Sequence, residues 1–212
     1  MELIAYLDTH FLTRARLLDA AGIDAGRLDA LIAQERMPHP SYRLKWDVTC
    51  TSYFGAHEDG ARVDYFARGY VAWIGTLPAA PDDAFDVFAR RYRAALAALP
   101  LRALDPRPDA GSDAHLRAEW RDFLAGTYGL CTRSGLPEDI AAKELATRVI
   151  DALTAARPPL AAADLATLRA ATDLLDAASS PFAPHERARS SRRRLVDDVR
   201  AAYGLTASRS GG

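Results

Sequence analysis

Residues 13–37 have the sequence TRARLLDAAGIDAGRLDALIAQERM, which predicts two short helices joined by a tight turn. Thr13 can cap the first helix, and Gly22 stands where a left-handed residue ends a helix at little steric cost. Asp24 can cap the second helix, and Pro38 prevents it from continuing. Because both helices place apolar residues at helical spacing, the pair predicts a helix-turn-helix plan.

Aromatic residues are concentrated in the next segment, residues 41–76. The run from Val48 to Phe54 is rich in β-prone residues, and Gly55 to Gly60 predicts the turn of a hairpin that returns through Val63 to Phe66. We expect a small two-stranded ribbon here. Because an isolated ribbon is marginal in water, its aromatic side chains should pack against helices.

The pattern from Pro81 onward is helical and forms the larger part of the chain. Further helices are predicted after Ser112, from Pro137 to about Leu153, after Pro158-Pro159 and from about Glu186 to Tyr203. The predicted fold class is therefore mainly α. It comprises a helix-turn-helix-like module (1–45), an aromatic-rich β-ribbon and connector (46–77), a helical, bundle-like body (78–206) and a disordered tail (207–212).

Composition limits the function classes. The chain has 212 residues with 27 Lys and Arg against 28 Asp and Glu, so no global field attracts it to a polyanion. The two cysteines, Cys50 and Cys131, are far apart, which argues against a disulfide framework or structural zinc site. An acidic start and the lack of an apolar run of ~20 residues indicate neither export nor membrane insertion. We expect a cytoplasmic protein.

Two resemblances follow from specific residues. The segment from Leu12 to Tyr42 resembles the start of a MerR-type winged helix-turn-helix. The whole chain resembles a bacterial family of unknown function whose members are labelled natural product biosynthesis proteins. The second resemblance rests on the same opening segment together with residues 52–55, Trp73, 120–124, 126–131, 137–140, 143–144 and 180–184. It implies a role in a biosynthetic pathway but supplies no catalytic residue and no cofactor.

The charge of the N-terminal module disfavours DNA binding. Residues 1–45 contain six acids and six bases, whereas phosphate contacts need a clear excess of bases. Arg27 and Gln34 on the second helix, with Arg43 beyond it, are the residues that could contact DNA. Asp29 on the same helix would face phosphates unfavourably. Nucleic acid is thus the less favoured partner, and a packing or docking role for the module is favoured.

The connector from Gly126 to Gly135 is the most unusual stretch of the body. It places Tyr128, Cys131 and Arg133 in a glycine-bearing segment before a helix N-terminus, where an anion or thiolate is favoured. The alternative is a helix stop with a buried, inert cysteine. The candidate ligand-binding residues are Tyr128, Cys131, Arg133, His115, Glu144 and Trp73.

A metal site is not assigned. His115, Glu119 and Asp122 share one helix face, but arginines flank the acids and no metalloprotease spacing is present. Three functions remain open. The first is a pathway protein, enzyme or not, that binds a small intermediate between the aromatic ribbon and the helical body; the others are a MerR-like DNA-binding regulator and a protein-interaction adaptor.

Overall fold

A computed structural model describes residues 2–77, 84–155 and 160–206. The N-terminal region, residues 2–77, contains α1 (Glu2–His10), β1 (Phe11–Thr13), α2 (Arg14–Ala21), α3 (Ala25–Ala33), β2 (Tyr42–Ser52), β3 (Gly55–Ala67) and α4 (Tyr70–Thr76). The body contains α5 (Ala84–Ala98), α6 (Asp113–Leu124), α7 (Thr127–Cys131), α8 (Pro137–Ala155), α9 (Ala162–Ala178) and α10 (Asp198–Tyr203). The mainly helical class is confirmed. The predicted start at Pro81, the Pro158-Pro159 separator and the tail 207–212 lie outside the described residues.

The helix ends follow the local signals of the sequence. Thr13 accepts a hydrogen bond from the backbone N–H of Arg16 at 3.4 Å, and Gly22 ends α2 with φ of +63°. Asp24 caps α3 by accepting from the N–H of Arg27 at 2.7 Å. These side-chain and left-handed caps satisfy backbone groups that a short helix leaves unpaired. The predicted caps are confirmed.

The sheet is larger than predicted. It has three antiparallel strands in the order β1-β3-β2, and neither β1 nor α1 was predicted. The predicted turn from Gly55 to Gly60 is wrong, because Tyr53 and Phe54 make the turn and Gly55 already begins β3. The hydroxyl of Ser52 accepts from the N–H of Phe54 at 3.2 Å and so stabilises this turn. The domain boundary predicted between residues 45 and 46 falls inside β2.

The core lies where α4 meets the body helices. Trp73 is fully buried, 4.9 Å from the ring of Phe123 between centroids, and donates its indole N–H to the carbonyl of Arg36 at 2.9 Å. Phe88 packs on Phe123 at 5.1 Å. Aromatic clusters of this kind bury large apolar areas, which joins α4 to α5 and α6. A second, smaller cluster packs α1 against the sheet around Leu7, Phe11 and Tyr65.

Two helical predictions in the body need correction. The connector after Gly126 contains the short helix α7 instead of being a loop throughout. The predicted continuous helix from Glu186 to Tyr203 is interrupted, with a 3₁₀ turn at Arg187–Arg189 followed by a π-helical turn at Arg193–Asp197 and then α10. Ser190 causes the break, since its hydroxyl accepts from the N–H of Arg193 at 3.0 Å and begins a new helical segment. Among the described helices, none is long and apolar enough to cross a membrane.

Candidate functional site

Glycines let the connector touch the N-terminal region directly. A Cβ on Gly129 would overlap the hydroxyl of Ser41 and lie 2.7 Å from that of Tyr70. Gly126 has φ of +84°, and a Cβ there would lie 2.7 Å from the carbonyl of His39. Both positions therefore need glycine, one for close approach and the other for a left-handed conformation as well. Helix α7 is consequently seated against the segment that precedes β2.

A cleft of about 590 Å³ opens beside this contact. One wall comes from α1 and the sheet, where Tyr6, His10 and Phe11 supply aromatic rings. The rings of Tyr6 and His10 lie 4.7 Å apart between centroids. The facing wall is polar and comes from the connector, the end of α9 and the start of the π-helical turn; Thr132, Arg133, Ser179, Ser180 and Arg192 are among its residues.

Positive charge dominates the cleft. Arg68, Arg133 and Arg192 line it together with one acid, Asp176. Arg192 bonds Asp176 at 2.6 Å, and Arg68 donates to the carbonyl of Thr9 at 2.8 Å. Among the described residues, the guanidinium of Arg133 has no hydrogen-bond or ion-pair partner, and the residue is exposed. Arg133 therefore keeps all its donors for an incoming anion, and Arg68 also keeps its positive charge because a carbonyl does not neutralise it.

Ser179, a residue of the same wall, has an unpaired hydroxyl that lies beneath the surface of the cleft. The residue is only 4% exposed, and its Oγ has no hydrogen-bond partner among the described residues. Its neighbour across an isolated β-bridge, Thr132, is also buried but donates to the carbonyl of Tyr128 at 2.6 Å. Since buried polar atoms are nearly always paired, the hydroxyl of Ser179 is a group that a ligand or water could satisfy.

The opposite side of α7 faces a cluster of ionisable side chains. The hydroxyl of Tyr128 donates to Glu119 Oε2, and His115 Nδ1 lies 3.9 Å from Glu119 Oε1. The other ring nitrogen of His115 lies 3.2 Å from the hydroxyl of Tyr92. Helices α5, α6 and α7 each supply part of this chain of contacts. The result is a continuous polar path through an otherwise apolar interface.

Arginine balances the acids of this cluster. Arg107 bonds both oxygens of Asp105, at 2.9 and 3.0 Å, and its Nη1 lies 3.6 Å from Glu144. The pKa of Glu119 is raised from 4.5 to about 7, mainly by burial; the hydrogen bond from Tyr128 opposes this shift and the negative charge of Glu144 adds to it. Burial, and next the charge of Arg107, lower the pKa of His115. Glu119 consequently titrates near neutral pH.

The candidate residues from the sequence thus fall into three places. Tyr128, His115 and Glu144 meet in the ionisable cluster, Arg133 lines the cleft, and Trp73 is enclosed in the core, where no ligand reaches it. Cys131, the remaining candidate, is half-buried at the end of α7, and its carbonyl accepts from Lys143 at 2.9 Å.

Sequence reasoning missed part of the cleft. Arg68, Ser179 and Arg192 come from distant parts of the chain, and no local motif marks them. Within the described residues, no group of three or more His, Cys, Asp and Glu side chains could hold a metal ion.

The candidate DNA contacts lie elsewhere. Arg27, Gln34 and Arg43 are exposed, and Arg43 lines a second groove of about 810 Å³ between the N-terminus of α2 and the ribbon. Asp29, the acid expected to repel phosphates, bonds Arg14 at 2.7 Å. This ion pair neutralises both charges at the edge of the groove.

Fold and site together define a mainly helical protein with a small antiparallel sheet and a basic cleft beside it. The chain belongs to a family of unknown function (DUF6058), whose profile matches residues 84–204. The matched region includes the ionisable cluster and the polar wall of the cleft. Neither the curated proteins nor the solved structures contain a match to this chain.

Proposed function

We propose that the chain binds a small organic anion with an apolar body in the cleft between α1 and the connector. The observation that supports this proposal most is that one wall contains both a guanidinium without a partner, Arg133, and a buried hydroxyl without a partner, Ser179, within the described part of the chain. A carboxylate or phosphate accepts hydrogen bonds from both groups.

The opposite wall suits an apolar ligand body. Tyr6, His10 and Phe11 line it with aromatic rings, of which His10 is exposed and the other two are largely buried, and the volume of about 590 Å³ lies within the usual range for small-molecule sites. Burial, followed by the charges of Arg68 and Arg187, lowers the pKa of His10, so that this ring stays neutral at neutral pH. The resemblance to natural product biosynthesis proteins favours a pathway intermediate with an acidic group as the ligand. The proposal covers binding and assigns no reaction.

Phenyl phosphate, benzoate and the neutral benzamide test the proposal as probes. We expect both anions to raise the melting temperature of the full chain and benzamide to leave it unchanged. Arg133→Ala should weaken phenyl phosphate binding about tenfold, measured by calorimetry, without changing the melting temperature of the free protein. Arg148→Ala, which removes an exposed arginine on α8 outside the cleft, is the matched control.

Two results would overturn the proposal. One is equal stabilisation by benzamide and the two anions, because charge would then play no part. The other is unchanged phenyl phosphate affinity in R133A, because the anion would then bind elsewhere on the protein.

A second candidate function is DNA binding by the N-terminal region, which we propose to be a winged helix-turn-helix module. Two observations favour it. The elements follow the order α1-β1-α2-α3-β2-β3, which supplies a helix pair beside a two-stranded wing. The second groove is lined by Arg43, Lys45 and Arg62 against one acid, Asp64, besides Arg14, whose charge Asp29 neutralises.

Binding to a DNA duplex at low salt separates this candidate from the first. Fluorescence anisotropy should detect binding that weakens as salt rises, and Arg62→Ala should reduce the slope of that dependence by about one. Arg148→Ala again serves as the control. Absence of binding at every salt concentration would exclude the DNA candidate and leave the anion cleft untouched.

A further inference from the structure

Strand β2 leaves one edge of the sheet open. Strand β3 occupies the centre of the order β1-β3-β2, and within residues 2–77, 84–155 and 160–206 no strand pairs with the outer edge of β2 (Tyr42–Ser52). An open edge presents backbone N–H and C=O groups in the geometry that another strand can complete. No proline interrupts these eleven residues.

The side chains of β2 differ between its two faces. Leu44, Trp46 and Val48 alternate with Lys45 and Asp47, and alternating residues point to opposite faces of a strand. Val48 is 50% exposed, although it is a large apolar residue. The middle of β2 therefore carries an apolar stripe on one face, packed at Leu44 against the α1 cluster and exposed at Val48, and a charged pair on the other face.

We propose that two copies of the chain pair antiparallel along β2, around a two-fold axis at Trp46, to form one continuous six-stranded sheet. The partner is a second copy because the strand is complementary to itself in this register. Lys45 lies opposite the partner's Asp47, and the symmetry repeats the pair on the other side. On the other face, Leu44 lies opposite the partner's Val48.

The charges select this register over its neighbours. An axis at Val48 would place Lys45 opposite the partner's Thr51 and leave both charges unmatched. Within one chain, Lys45 Nζ and Asp47 Oδ2 lie 3.3 Å apart, with side chains 61% and 77% exposed. Such an exposed pair contributes little to stability, so exchanging it for two pairs between chains costs little.

The contact is short, so the dimer is expected to be weak. Paired residues run from Tyr42 to Cys50 in this register, which is a small interface by the standard of stable complexes. Dimerisation should therefore appear as a concentration-dependent rise in sedimentation coefficient between about 1 and 200 μM. The full chain is used for this measurement.

Charge reversal tests the register. Asp47→Lys and Lys45→Asp each create like charges opposite one another twice, which should weaken the dimer about tenfold. The double variant K45D/D47K restores opposite charges at both positions and should recover wild-type association. Glu58→Lys is the control, because it makes the same change of charge on β3, away from the open edge.

Cross-linking tests the axis directly. On a Cys50→Ser background, Trp46→Cys should form an intermolecular disulfide under mild oxidation, because the axis brings the two copies of residue 46 together. Val48→Cys should not, since the two copies of residue 48 would lie about 13 Å apart along the strands. A purely monomeric wild-type chain at the highest concentration, failure of K45D/D47K to recover, or equal cross-linking of both variants would each overturn the proposal.

Discussion

Helix α7 separates two polar regions that are built in opposite ways. On one side, Tyr128, Glu119 and His115 contact one another within the protein. On the other side, Arg133 and Ser179 have side-chain polar groups without partners among the described residues. The first region resembles a structural network whose hydrogen bonds are complete apart from Arg107 Nη1, and the second resembles a site whose partners come from outside. The difference predicts where stability depends on pH and where ligands bind.

The two regions stay separate only because α7 is held in place between them. Five residues long, the helix cannot be stable alone, so its position comes from contacts on both sides. Tyr128 fastens it to α6, and Gly129 allows it to lie against Ser41 and Tyr70. Variants at these positions therefore test the two regions separately.

Gly129→Val should produce the largest effect, because it removes the close approach on the cleft side. A side chain at this position would meet the rigid ends of Tyr70 and Ala67 as well as Ser41. We expect a loss of about 3 kcal/mol in the free energy of unfolding, measured by urea denaturation. Gly75→Val is the matched control, since a Cβ there meets nothing within 4 Å and the residue also lies in a helix. Equal losses in the two variants would contradict the role of the close contact.

Glu119→Gln should change how the free energy of unfolding depends on pH, because Glu119 lies in the buried ionisable cluster. Burial raises the pKa of Glu119 from 4.5 to about 7, so the folded state holds its proton more tightly than the unfolded state. This contribution to stability is complete below pH 4.5 and is lost as pH rises through 7. Glutamine keeps an acceptor for Tyr128 without the charge. The variant should therefore be more stable than wild type by about 2 kcal/mol at pH 8.5 and nearly equal at pH 4.5. A difference that does not change with pH would show that Glu119 stays ionised when buried.

Much of the fold could be predicted because its signals are local. Thr13, Gly22, Asp24 and Ser112 act on backbone groups within a few residues, and all four end or begin helices as expected. The predicted position of the hairpin turn was wrong because there the local signal was misleading. Its central residues, Tyr53 and Phe54, are not typical turn formers, whereas the polar glycine-rich run that resembles a turn lies in β3.

The two polar regions were predictable to different degrees. Tyr128 and His115 stood out because they are rare, polar and near glycines or caps. The cleft depends on Arg68 and Ser179, which are more than a hundred residues apart in sequence. Only the packing of the connector against the sheet brings them together, and a single sequence does not encode that packing in any local pattern.

Tyr128→Phe should have a smaller effect than charge removal at Glu119, with the opposite sign. It deletes the hydroxyl that donates to Glu119 and leaves the carboxylate without that bond. We expect a loss of about 1 to 2 kcal/mol at pH 8.5 and a smaller loss at pH 4.5, where the carboxyl is neutral. Urea denaturation at both pH values measures this, with Tyr203→Phe as the control. Identical losses at the two pH values would mean that the hydroxyl acts by packing alone.

Ser179→Ala should have the smallest effect on stability, and its sign distinguishes the two regions. The hydroxyl is buried without a partner, so its removal should leave the free energy of unfolding unchanged or raise it by up to about 1 kcal/mol. Across the bridge, Thr132→Ala deletes a hydroxyl that also accepts from the N–H of Gly135 at 2.9 Å, and it should lose about 1 kcal/mol.

For phenyl phosphate affinity, S179A should have the larger effect and T132A the smaller, the reverse of their effects on stability. If the free hydroxyl of Ser179 serves a ligand, S179A will weaken phenyl phosphate binding although it stabilises the protein. Groups that serve function commonly lower the stability of the free protein in this way. T132A should destabilise the fold without removing a group that faces the ligand. If S179A instead loses stability and keeps its affinity for phenyl phosphate, the hydroxyl of Ser179 has a structural role. The two sides of α7 would then not differ at this residue.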